Sequence, residues 1–195
     1  MTRRLTLLCV PATAALRAGR FPADDALDEG AAVPTARWTD KLGQPDRVLC
    51  SPTTCARDTV RALGLTVTEE QSLREVDYGR WRGQSLKDIG TTEPEALAAW
   101  LSDPDMHAHG GESLARVYER AGLWLSRRAP GHTLAVTHAS VIRAVVAHAL
   151  GAPARAAMQI DIAPMTLTTL SGHGVAWRVT SVAVPVVAQP DAPPY

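Results

Sequence analysis

Apolar positions cluster in short runs separated by amphipathic stretches. The run Leu5 to Val10 is apolar and stops at Pro11, which cannot donate to a sheet ladder, so it predicts a buried strand that delivers Cys9 and Val10 to its carboxyl end. The stretch "RVLCSPTTCARDTVRALG" predicts a strand over Arg47 to Cys50 and then a helix, with Ser51 as N-cap, Pro52 at the first helical position and Gly64 closing it after Leu63. Cys55 then falls in the first turn or so of that helix. The stretch "HTLAVTHASVIRAVVAHALG" repeats the design. A strand over Thr133 to Thr137 ends at His138, and an apolar-periodic helix runs from about Ser140 to Leu150 before Gly151. Between these units lies the Gly-rich, charged segment "SLREVDYGRWRGQSL". A helix over Glu93 to Leu101 follows, then a loop over Ser102 to Gly111 and a helix from about Ser113 to Arg127. The segment "MTLTTLSGHGVAWRVTSV" predicts a closing hairpin with Gly172 to Gly174 as its turn. Strands alternating with helices imply an α/β fold with a mostly parallel sheet covered on both faces. If the strands before Pro11, Ser51 and His138 are neighbours, Cys9, Cys55 and His138 converge on one crevice.

The 195 residues suffice for one domain, expected over 1–183, with a Pro-rich tail over 184–195. Lys plus Arg and Asp plus Glu balance at 20 each, so the chain carries no electrostatic footprint for nucleic acid or an anionic membrane, and its expected partner is a small-molecule ligand. Oligomeric state is left open, a homodimer included. Three cysteines do not make a disulfide framework and favour a cytoplasmic setting. Arg3 and Arg4 before an apolar stretch imitate a signal peptide, but the run to Val10 is shorter than a signal core and is cut by Pro11. The five tryptophans, Trp38, Trp81, Trp100, Trp124 and Trp177, fit core spacing; Trp81 stands out because it lies in the segment that bears Glu75.

Five pieces in order, "ATAALRAGRFP", "SPTTCARDTVRALG", "LREVDYGRWRGQSL", "GGESLARV" and "VTHASVIRAVVAHALG", make the chain resemble the histidine phosphatase superfamily, the phosphoglycerate mutase-like phosphatases. The resemblance implies a three-layer α/β/α sandwich with a mostly parallel central sheet, and phosphoester chemistry. In the family a histidine within an Arg-His-Gly motif takes the phosphoryl group, beside two arginines, a second histidine and an acidic proton donor. Carried over, the Arg-His-Gly motif falls on Cys9, Val10 and Pro11, and the arginine of the next helix falls on Cys55. The second histidine falls on His138 and the acid on Glu75.

Those departures set the expectation of a changed function. Val10 has no lone pair to offer phosphorus, and the loss of two arginines removes charge-assisted bonds worth about 1.5–3 kcal/mol each. The expected result is a non-phosphatase pocket that holds a small ligand or a transition metal, zinc or cobalt. Cys9, Cys55 and His138 would be the ligands, with Glu75 or one of the rim histidines His107 and His109 as fourth. Val10, Thr13, Arg20 and Trp81 are the expected ligand-binding residues. Against this, free cysteines are commonly small buried hydrophobes, and Cys9 with Cys55 could instead form a redox pair. The alternatives are a repurposed enzyme using Glu75 and His138 for acid/base chemistry on a small metabolite, and a regulatory pseudophosphatase.

Overall fold

The computed structural model describes residues 2–28, 42–174 and 176–185. Strand β1 (Thr2–Cys9) lies near the middle of a single sheet. The other strands are β2 (Arg47–Cys50), β3 (Thr68–Glu69), β4 (Gly131–Thr137), β5 (Thr166–His173) and β6 (Ala176–Pro185), in the order β3-β2-β4-β1-β5-β6. The pairs β1·β4, β2·β4 and β2·β3 run parallel, whereas β1·β5 and β5·β6 run antiparallel. Four adjacent strands are thus parallel, as expected, and the last two join them as an antiparallel hairpin, which makes the sheet mixed. The predicted turn shifts accordingly: Gly172 sits inside β5 opposite Trp177, and the reversal lies at Gly174.

Among the described residues the helices are α1 (Ala14–Arg17), α2 (Thr54–Ala62), α3 (Leu86–Thr92), α4 (Pro94–Ser102), α5 (Leu114–Ser126) and α6 (Ala139–Ala149). The pleat of β1 divides the core between the two faces of the sheet. Leu5, Leu7 and Cys9 pack with α5 and α6, whose Val117, Ala121, Trp124, Val141, Ile142 and Val145 form apolar stripes at helical spacing. Leu8 and Val10 pack on the other side with Leu134, Val136 and the α2 residues Cys55, Ala56 and Val60. The expected layers are thus present, helices lying around one sheet.

Helix α2 starts later than expected. Its N-cap is Thr53, not Ser51, and the Thr53 side chain makes no capping bond. Asp24, held at φ +68° in the long segment after β1, supplies the cap from a distance: its Oδ1 accepts from the Thr54 backbone N–H at 2.7 Å and its Oδ2 from the Thr54 hydroxyl at 3.1 Å. At the far end of the chain, Val184 and Pro185 belong to β6, so the strand runs past the expected boundary at 183. The rest of the expected tail lies outside the described residues, as does Trp38.

Two irregular segments, 77–81 and 109–112, cross at backbone contact. Arg80 N–H donates to the His109 carbonyl at 2.9 Å and Glu112 N–H to the Asp77 carbonyl at 2.7 Å. A Cβ on Gly111 would stand 2.0 Å from the Asp77 carbonyl oxygen, and one on Gly79 2.2 Å from that of His109. Gly111→Ala is therefore expected to destabilise the fold by about 3 kcal/mol or more. Gly110→Ala, at φ +78° with nothing within 4 Å of its Cβ, should lose only the left-handed strain of about 1–2 kcal/mol. Urea denaturation of the two variants side by side checks the difference; equal losses would show that the crossing relaxes.

Candidate active site

The carboxyl ends of β1, β2 and β4 open on a cleft of about 640 Å³. Cys9 pairs with Thr137 and Cys50 with Val136, which puts the three strand ends in line and sets His138 just beyond β4, at the N-cap of α6. Val10 N–H donates to the Thr137 carbonyl at 2.9 Å, holding the chain after β1 against the same edge. Cys9, Val10, Cys55, Glu75 and His138 all face the cleft, as do Thr13 and Arg20.

His138 is buried, and each ring nitrogen has partners. Nδ1 lies 3.2 Å from Glu75 Oε2. Nε2 lies 3.0 Å from Ser51 Oγ and 3.0 Å from Thr53 Oγ1. A carboxylate only accepts, so the Nδ1 proton stays on the ring, and in the neutral imidazole the Nε2 lone pair faces the two hydroxyls. Glu75 is held in turn: its Oε1 accepts from Val76 N–H at 2.8 Å and from the Ser140 hydroxyl. Burial pushes the Glu75 carboxyl up, but attraction to the His138 ring and the bonds from His138, Ser140 and Val76 outweigh it and bring it down to about 2. The carboxylate thus faces His138 with one oxygen and Val76 and Ser140 with the other.

The thiols behave as small apolar groups. Burial, with Glu75 adding to it, pushes Cys9 up to about 12. Burial also raises Cys55 to about 11 against the bond from Thr53. Cys9 belongs to the core on the α5/α6 face and Cys55 to the core on the α2 face, so they reach the cleft from opposite sides of the sheet. All three cysteines are free and buried, and Cys50 does not line the cleft.

The wall is formed by residues scattered in sequence. Arg20, Arg74, Arg82 and Arg143 face the cleft together with Asp24, Asp25 and Asp77. Arg20 Nη1 donates to the Gly83 carbonyl at 3.1 Å, and Arg74 pairs with the buried Glu112 at 2.9 Å. Arg143 reaches Asp161 at 3.5 Å and keeps a buried Nε without a partner among the described residues. Phe21, Tyr78 and Trp100 make an apolar flank, with ring centroids of Phe21 and Trp100 5.2 Å apart.

Three expected residues fall elsewhere. Trp81 is fully buried and does not line the cleft; it packs on Phe21 and donates to Glu93 from Nε1 at 3.1 Å. The tryptophan facing the cleft is Trp100, on α4. His109 is buried against Trp81 with centroids 5.1 Å apart, and its Nδ1 accepts from Gly111 N–H. His107 is exposed and bonded locally to the Asp105 carbonyl. Neither histidine lines the cleft. Thr53, Ser140 and Arg143 were not anticipated; the one signal for Thr53 was that it, like Ser51, is a residue suited to an N-cap.

The model of the histidine phosphatase superfamily (branch 1) matches residues 29–185. The chain belongs to that family. The matched residues include Cys55, Glu75 and His138, whereas β1 and the loop through Thr13 precede them. A solved mycobacterial glucosyl-3-phosphoglycerate phosphatase complexed with VO3 is 29% identical, covers 93% of this chain and 99% of its own, and superposes with a TM-score of 0.81. An acid phosphatase of Mycobacterium tuberculosis is 36% identical over 107 residues, 51% of this chain and 49% of that protein. A bifunctional protein of the same organism is 29% identical over 149 residues, 71% of this chain and 41% of its own length. The chain thus spans about half, or less, of these two curated relatives.

These findings correct the expectation of a non-phosphatase pocket holding a ligand or metal through Cys9, Cys55 and His138. Several of the matching relatives carry phosphatase names. Among the described residues no group of three His, Cys, Asp or Glu side chains could hold a metal ion. Cys9 and Cys55 belong to the cores on opposite sheet faces, and the two rim histidines are engaged elsewhere. The readings as a regulatory pseudophosphatase and as an enzyme repurposed to other chemistry fall with it.

The site makes two measurable predictions. A carboxyl lowered to about 2 from an ordinary 4.5 contributes stability that is complete above about pH 4.5 and is lost as the pH falls through about 2. The stability gap between the native protein and Glu75→Gln, read from urea titrations, should narrow as the pH falls below about 4.5. The thiols should resist an aromatic disulfide reagent at pH 8 and react only once denaturant is added; rapid reaction of the folded protein would show a lowered thiol.

Proposed function

We propose that the protein hydrolyses small phosphomonoesters in this cleft, with His138 as the base at its floor. The observation that carries the reading is the pinned imidazole: Glu75 on Nδ1 leaves the Nε2 lone pair to Ser51 and to Thr53, and Thr53 lines the cleft. Such an arrangement suits proton transfer to and from an oxygen at phosphorus. The wall supports it. Arg20, Arg82 and Arg143 offer guanidinium groups to a dianion, and each charge-assisted bond is worth about 1.5–3 kcal/mol, so three of them can offset the arginines absent at positions 9 and 55. The Arg143 Nε without a partner is a donor that a phosphate oxygen would satisfy. Phosphatase names among the relatives support the same chemistry.

A single domain with a small-molecule substrate fits the balanced charge, and the three free thiols favour the cytoplasm. No helix among the described residues is long and apolar enough to cross a membrane.

Phosphate release from a panel of aryl, sugar and hydroxy-acid phosphates tests the reading. The native protein should turn over at least one class, His138→Asn should lower kcat by ~10²–10⁴-fold, and Arg143→Ala should raise KM more than it lowers kcat. A folded native protein that releases phosphate from none of them overturns it.

A further inference from the structure

Two hydroxyls share one imidazole nitrogen, and only one of them can reach a substrate. Ser51 Oγ and Thr53 Oγ1 both lie 3.0 Å from His138 Nε2. Ser51 is fully buried and does not line the cleft, whereas Thr53 is half-buried and does. Thr53 is also released from the task its position would ordinarily give it: it is the N-cap of α2 but makes no capping bond, because Asp24 caps that helix end instead. Its hydroxyl is turned to His138.

We infer that Thr53 Oγ1 is the atom that takes the phosphoryl group, with His138 as its base and Glu75 as the group that orients the base. Hydroxyl, imidazole and carboxylate stand in the order and at the distances of an activated nucleophile: 3.0 Å from Thr53 Oγ1 to Nε2 and 3.2 Å from Nδ1 to Glu75 Oε2. The other nucleophiles at the cleft are engaged or inert. The Thr13 hydroxyl accepts from Leu16 N–H as the cap of α1, and the Ser140 hydroxyl donates to Glu75. Cys9 and Cys55 are protonated thiols with no bond to His138 among the described residues, and Val10 ends in two methyl groups. Cys55 Sγ instead lies 3.6 Å from Thr53 Oγ1, close enough to hold that oxygen in place.

The assignment rests on the phosphatase reading above and names its nucleophile. In the first step the Thr53 hydroxyl proton passes to His138 Nε2 as the Oγ1–P bond forms and the bond from phosphorus to the leaving oxygen breaks. The imidazolium then hands that proton to the leaving oxygen, which departs as the alcohol. In the second step a water gives a proton to Nε2 and its oxygen bonds to phosphorus. The P–Oγ1 bond breaks, and Thr53 recovers the proton from His138. The balance is phosphomonoester dianion plus water giving alcohol plus hydrogen phosphate, with the enzyme unchanged and no other reactant consumed.

The experiment is rapid acid quenching of the full chain during turnover of para-nitrophenyl phosphate, followed by peptide mapping. Thr53 should carry an acid-stable, alkali-labile phosphate. Thr53→Val should lose ~10²-fold or more in kcat with an unchanged melting temperature, and Thr53→Ser should keep both turnover and the trapped phosphate. An acid-labile phosphate on His138, or full turnover by Thr53→Val, overturns the assignment while leaving the phosphatase reading standing. No phosphate release by the native protein overturns both.

Discussion

The contact between the Glu75 carboxylate and His138 Nδ1 holds the site together. Glu75 lies in a segment with little regular structure beyond two short 3₁₀ turns, tied to the sheet by hydrogen bonds at its start and middle. One is the Thr137 hydroxyl donating to the Leu73 carbonyl at 2.7 Å, two residues before Glu75. Deleting one partner of a largely buried pair leaves the other unpaired in a poor solvent, a loss of about 3–5 kcal/mol. The pair therefore anchors the loop and also fixes which face of the imidazole is basic.

The surroundings strengthen that pair. Cysteines at 9 and 55 and a valine at 10 give the cleft an apolar floor, and burial keeps both thiols neutral. In a less polar medium each remaining charge acts more strongly on its neighbours. The cations stand at the wall, on elements far apart in sequence, with Arg74 braced by the buried Glu112 that also takes a two-pronged bond from Arg120.

Much of this was legible in the sequence, for identifiable reasons. The strands before Pro11, Ser51 and His138 are apolar runs with sharp stops, and the long helices carry apolar stripes at helical spacing, so local pattern alone located them. His138 and Glu75 emerged from motif order. Thr53 did not, because the capping of α2 is decided by Asp24, a residue distant in sequence, and Ser51 before Pro52 satisfied every local rule for an N-cap. Trp81 looked like a cleft residue because it shares a segment with Glu75. The chain turns between them, burying Trp81 and presenting Tyr78, while Trp100 reaches the cleft from a helix. Arg143 lies one turn into α6, where nothing in its neighbours distinguishes it from a solvated arginine. The closing hairpin was legible from its alternation, but a local pattern does not say which strand it pairs with, and here β5 pairs with β1.

The crossing at Gly79 and Gly111 has a consequence for how such a chain can diverge. Two backbones that touch leave room for neither an added side chain nor an added residue on either strand of the crossing, so these loops can change length only together. The β5–β6 turn, where a Cβ on Gly174 would meet open space, is under no such obligation. Descendants of this sequence would keep the paired glycines as a fixed frame, and the variety that separates one lineage from another would accumulate at the hairpin tip.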